Sequence, residues 1–231
     1  MATFLLGGFV ELARPSFQRQ AKRQKQNCPA CYRYTPHYHE ERLAKIPSAP
    51  IIFVCGNADL SFCDPSFTRK IIEAVKQHSQ RCSHKTFDFQ SKKPAYFEPL
   101  LAEFPESVIL LTTLETNRDA GYDEVSKAPP PSERYRQFKA LDYPRKVVTI
   151  EPVLDFDVEE FAGWIVELHP EYVWLGFNSK PEAVTLPEPT QEKVGEFMEK
   201  LARAHIQIRG KTLCGLEIPE ACRGVENGGQ G

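Results

Sequence analysis

The sequence is short of several things, and each shortage narrows what the chain does. Charge of neither sign prevails: 29 Lys and Arg stand against 31 Asp and Glu, a net charge of −2. A balance of that kind supplies no global field for drawing in nucleic acid. Long hydrophobic runs are missing too. The apolar stretch 4–10 is too short to span a bilayer and has no cation before it, so neither a membrane anchor nor a secretory leader is expected. No Gly-rich phosphate loop follows any strand-like segment, which argues against dinucleotide and P-loop sites. Internal repeats are absent. The 7 cysteines, at 28, 31, 55, 63, 82, 214 and 222, are odd in number and widely scattered. A disulfide framework is therefore not expected, and a reducing cytoplasm is the expected location.

What is present reads as alternation. At 231 residues the chain is long enough to bury a core of one ordinary α/β domain. Residues 1–26 stand apart: Arg14, Arg19, Lys22, Arg23 and Lys25 are set against Glu11, with no apolar stripe across 15–26. That composition predicts a solvated or disordered arm, with a basic contact to nucleic acid as the alternative. From residue 51 onward, short apolar runs of the kind a doubly covered parallel strand shows alternate with helical patterns. Strands are predicted over 51–55, 86–89, 108–114, 146–150, 172–177 and 206–208. Helices are predicted from Asp64-Pro65 to His78, from Pro94 onward carrying Phe97, Leu100, Leu101 and Phe104, over 132–141 with Ser132 as N-cap, over 157–169, and over 190–205. Strand–helix alternation at this spacing predicts a parallel sheet with helical crossovers. A partial (β/α) barrel and an open doubly wound sheet both satisfy it. The Gly-rich tail, residues 216–231, is expected to be flexible.

In parallel sheets the chemistry gathers beyond the carboxyl ends of the strands. Those positions here carry Gly56, Asn57 and Asp59, then Glu115 and Asn117, then Glu151, then Asn178. Most polar loop residues need no explanation. Glu115 and Glu151 are different, because Leu114-Glu115 and Ile150-Glu151-Pro152 join each acid directly to an apolar strand. A carboxylate at such a rim needs a cation beside it or a ligand's ammonium. Upstream, Cys28 and Cys31 are spaced so that both thiols reach one metal. With His37 and His39 they make a Cys2His2 zinc set, although the gap and the close histidine pair are not those of a standard finger.

Cys28-Pro29-Ala30-Cys31-Tyr32, the run Cys55-Gly56-Asn57-Ala58-Asp59-Leu60, and Leu114-Glu115-Thr116-Asn117-Arg118 together resemble the radical S-adenosylmethionine (radical SAM) superfamily. The stretches 126–135 and 150–156 resemble in particular an uncharacterised, phage-associated branch with a radical-SAM-like barrel. The resemblance spans roughly residues 27–213. It implies an α/β fold, a partial parallel (β/α) barrel over 27–215, holding a 4Fe-4S cluster. It further implies reductive cleavage of S-adenosylmethionine, an electron donor and a substrate that the sequence does not name. On that resemblance Gly56, Asn57 and Asp59 contact the methionine amino group of the cofactor and Cys28 and Cys31 hold metal, while Glu115, Asn117, Glu151 and Asn178 are candidate cofactor contacts by their place at the strand ends. The first cluster cysteine of the family pattern is absent, since position 24 is Gln24. Residues 1–26 also lack the strand and Gly turn the family has there, which predicts a shifted reading frame or a lost cluster. A zinc module without catalysis and a nucleic-acid-associated scaffold are the alternatives.

Overall fold

The computed structural model describes residues 28–30, 37–54, 59–179, 181–182 and 185–223. The expectations for residues 1–26, for Cys31, Cys55, Gly56 and Asn57, and for 224–231 lie outside the described residues. Six strands, β1 (Ile51–Val54), β2 (Thr86–Gln90), β3 (Val108–Thr113), β4 (Lys146–Ile150), β5 (Tyr172–Leu175) and β6 (Ile208–Gly210), form one sheet in sequence order. The fold is α/β: the strands are all parallel, alternate with helices and curl through 189° into a half-barrel. An open doubly wound sheet is thereby set aside. The chain divides into two compact units, Met1–Ser91 with Pro99–Ile109, and Lys92–Glu98 with Leu110–Gly231.

In the first unit, β1 pairs with β2 in register Ile52↔Phe87 and Val54↔Phe89. Helix α1 (Pro65–Arg81) buries Phe67, Ile71, Ile72 and Val75, a 3.6-residue stripe. Its start is set by Asp64, whose Oδ1 accepts from Ser66 N at 2.8 Å, and by Pro65 in the first turn. The helix runs one turn past His78, because nothing breaks it there and His78 and Arg81 suit its carbonyl end.

In the second unit, β4 aligns Thr112↔Val148 with β3 and Thr149↔Trp174 with β5. A single turn, α2 (Tyr122–Val125), precedes α3 (Pro131–Ala140), α4 (Val158–Leu168) and α5 (Gln191–Arg203). Phe156, Phe161 and Phe197 meet with ring centroids 5.1–5.2 Å apart and are all fully buried. Such a triad adds directional contacts to its area burial.

The helix expected from Pro94 is present, as a 3-10 helix, Pro94–Glu103, with Pro99 inside it. A proline there lacks the N–H and crowds the carbonyl four residues back, so an α-helix is excluded. Ser132 is not the N-cap of α3. Pro130 holds that position without a side-chain bond, and Asp119 from the preceding loop accepts from Ser132 N at 3.0 Å and Ser132 Oγ at 2.5 Å. The last strand is Ile208–Gly210, two residues later than expected. The turn leaving α5, with His205 at φ 57°, consumes residues 204–207. Near the chain's end, Glu220–Cys222 forms a 3-10 turn with Cys222 buried.

Candidate metal centre

In the first unit, Cys28, His37 and His39 converge, their donor atoms all within 4.8 Å of one another. Cys28 Sγ lies 3.3 Å from His37 Nε2, and His37 Nε2 lies 2.9 Å from His39 Nε2. Bonds of about 2.0 Å to nitrogen and about 2.3 Å to sulfur give tetrahedral edges of roughly 3.3–3.6 Å. The Cys28–His37 and His37–His39 separations fall a few tenths of an ångström short of such edges, and the set as a whole, within 4.8 Å, is of a size that small side-chain shifts can bring onto one ion. One thiol and two imidazoles suit zinc or a similar borderline ion better than calcium or magnesium, which take oxygen.

The local fold holds the donors in place. Tyr38, between the two histidines, stacks on Phe67 with centroids 4.1 Å apart, and its Oη accepts from Asp64 N at 2.9 Å. Both contacts are with the N-terminus of α1, the helix that follows β1, so the pair of histidines is pinned beyond that strand's carboxyl side. His39 is buried, and its Nδ1 is 2.9 Å from Glu41 Oε1. Behind Tyr38, burial pushes the Cys63 thiol up, which makes it a weak ligand and a packed one.

The other candidate residues are distributed as follows. Asp59 lies in the first unit, where its Oδ1 accepts from Ser61 N at 2.9 Å and Ser91 Oγ at 2.7 Å. In the second unit Glu115, Glu151 and Asn178 follow β3, β4 and β5, adjacent parallel strands, so all three stand at the carboxyl end of that sheet. Asn117 is buried and committed within the unit: it donates to Glu160 Oε2 at 2.7 Å and accepts from Asp157 N at 2.8 Å. Asn178 N donates to Glu188 Oε1 at 3.0 Å. Glu151 pairs with Lys211 at 2.7 Å. Gly176 lies beside this pair, where a Cβ would stand 3.3 Å from the Thr212 backbone N.

Glu115 is the most heavily engaged acid. It is 3% exposed, bonded to Lys92 through Oε1, and its Oε2 accepts from Arg134 Nη2 at 2.7 Å and Tyr122 Oη at 3.1 Å. Arg134 is fully buried, also donates to the Thr113 carbonyl, and lies over the Tyr122 ring. Burial works to raise the Glu115 carboxyl, but Lys92 and Arg134 outweigh it and hold the group below the usual carboxylate range. Burial and the neighbouring carboxylate push Tyr122 up to about 12. Of the two partners a rim carboxylate requires, Glu115 has the cations. Lys92 is one of the polar residues that follow the strands' carboxyl ends, whereas nothing in residues 122 and 134 marks them in the sequence as neighbours of Glu115.

Beside this cluster, Arg118 binds Asp157 through Nε at 3.0 Å and also bonds Asp155, which Lys193 reaches at 2.6 Å. These bonds tie the loops after β3 and β4 together. Among the described residues, no helix is long and apolar enough to cross a membrane. No protein-family model and no curated protein matches the sequence.

Proposed function

We propose that this protein is a zinc-binding half-barrel, with the ion held by Cys28, His37 and His39. Cys31, outside the described residues, is the fourth donor that its spacing from Cys28 offers. The observation that carries this reading is the convergence of three ligand-type atoms within 4.8 Å. Four protein donors close a zinc shell, so the ion's task is to fasten the segment bearing Cys28 and the two histidines onto the start of α1. A 4Fe-4S cluster draws on thiolates, and imidazoles make up two of the three described donors.

Radical S-adenosylmethionine chemistry is the second reading, and a specific observation favours it. The fold is a parallel half-barrel, and the donor set is pinned beyond the carboxyl side of β1, where such folds carry chemistry. In that case Cys28 and Cys31 would hold a cluster, with Gly56, Asn57, Asp59, Glu115, Asn117, Glu151 and Asn178 as candidate cofactor contacts.

Metal analysis of protein purified without oxygen separates the two. The first reading expects one zinc per chain and no visible band, with zinc lost when Cys28, His37 and His39 are all replaced by alanine. Brown protein carrying iron and sulfide would overturn it in favour of the second. Zinc retained by the triple variant would overturn the assigned ligands.

A further inference from the structure

A ligand histidine has two ring nitrogens, and the one that does not face the metal decides how well the other does. For His39 the structure supplies a partner on each side. Nε2 points at His37 Nε2, 2.9 Å away, and Nδ1 points at Glu41 Oε1, also 2.9 Å away. A carboxylate can only accept, so Nδ1 carries the proton and the Nε2 lone pair is left facing the donor set. The 3-10 turn Glu40–Arg42 makes this contact by folding residue 41 back onto residue 39. The adjacent acid is occupied elsewhere: Glu40 binds Lys70 on α1 at 2.9 Å. Two neighbouring glutamates of equal charge thus have different partners.

We propose that Glu41 is the positioning residue of the metal centre, holding His39 in the tautomer and ring orientation that present Nε2 to the ion. The inference rests on the metal-centre reading above. Glu41 does not touch the ion; it acts through His39. The carboxylate also raises the basicity of the imidazole it accepts from, which strengthens the metal bond. The side chain of Glu41 is 65% exposed while that of His39 is 9% exposed. Replacing Glu41 therefore removes the hydrogen bond without opening a cavity.

The test is a zinc titration against a chromophoric chelator, with zinc chloride as the probe, on the parent, Glu41→Ala, Glu41→Gln and Glu40→Ala. Loss of an outer-shell partner weakens metal binding by about 10–100-fold, and Glu41→Ala is expected to fall at the lower end of that range. Glu41→Gln keeps an accepting oxygen and is expected to lose less. Glu40→Ala removes the same charge one residue away and is expected to bind as the parent does. Nitrogen-15 spectra of the zinc-loaded proteins give a second readout. The parent is expected to show His39 bound through Nε2 with a hydrogen-bonded proton on Nδ1, and Glu41→Ala to lose the hydrogen-bond shift of that Nδ1 signal or to show a fraction of rings bound through Nδ1 instead. If the parent binds zinc and Glu41→Ala binds it equally well, the proposal is overturned while the centre stands. Equal weakening in Glu40→Ala and Glu41→Ala would overturn it in favour of bulk charge. A parent that binds no zinc removes the centre itself, and the inference with it.

Discussion

Two polar clusters, one in each unit, differ in a way that separates scaffolding from binding. Around Glu115 the charges are complementary. One carboxylate faces two cations and a phenol, and the central acid is nearly sealed from solvent. The carboxylate of such a set is satisfied from within, although the buried Arg134 Nε has no partner among the described residues, and the set positions backbone, here the Thr113 carbonyl at the end of β3. Around Cys28 the donors are alike. A thiol and two imidazoles aim their lone-pair atoms at one another, and the acid Glu41 is turned to the far side of His39. Like donors converge where a cation belongs between them. Burial alone does not distinguish the clusters, since His39 and Glu115 are both buried. What distinguishes them is whether the neighbours supply the opposite charge.

The strongest way to break this contrast is to unbalance the first cluster. Arg134→Met leaves the buried Glu115 short of a partner, and removal of one member of such a pair costs about 3–5 kcal/mol. Urea unfolding should show that loss while zinc content stays at the parent level. A change below 1 kcal/mol would mean that the cluster is not what organises its unit.

Acidification should separate the clusters in order. The folded Glu115 carboxyl is held below its unfolded value of 4.5. Its contribution to stability is complete above that value and is lost as pH falls through the lower folded one. Metal binding to thiol and imidazole donors releases protons, so zinc occupancy falls as the pH falls. Zinc should therefore leave first on descent from neutral pH, with unfolding following below about pH 4.5. Zinc content and circular dichroism followed together would show the two steps, and simultaneous loss would contradict their independence.

The smallest effect is expected at Glu151. Its pair with Lys211 is half open, with side-chain exposures of 21% and 53%, and pairs of this type contribute about 0–1 kcal/mol. Glu151→Gln should leave the thermal midpoint nearly unchanged. A drop as large as that of Arg134→Met would assign Glu151 to the scaffold, and would remove the reason for treating it as a ligand contact.

Much of the fold was legible because its strands are buried on both faces and so read as unbroken apolar runs. Val108–Thr113 is buried at every position, and the alternation with amphipathic helices gave the parallel class. The misplacement of β6 has the opposite cause. It is a three-residue edge strand with one buried apolar side chain, Ile208, and a cation, Arg209, lying over Tyr172 of the neighbouring strand. No periodicity can be read from so short a strand. Pro99 sits inside a segment whose spacing is helical, and the spacing does not say which helix a proline tolerates.

The site was legible by residue type and illegible by partnership. Cys28, His37 and His39 stand out as ligand chemistry within twelve residues of sequence. Glu41 did not stand out, because an acid two residues from a histidine is unremarked until the turn brings them together. The Glu115 cluster was harder still. Its partners are 23 residues before it and 7 and 19 after it, and only the folded chain reveals that the rim acid had its cations already.

X-ray absorption at the zinc edge tests the central claim most directly, because it reads the ligand shell itself. The zinc-loaded protein is expected to show a mixed first shell, with nitrogen at about 2.0–2.1 Å and sulfur at about 2.3 Å. Cys28→Ala should lower the sulfur contribution, and the joint replacement of His37 and His39 by alanine the nitrogen one. A first shell of oxygen and nitrogen with no sulfur would place the ion elsewhere and contradict the assignment of Cys28, His37 and His39 as its ligands.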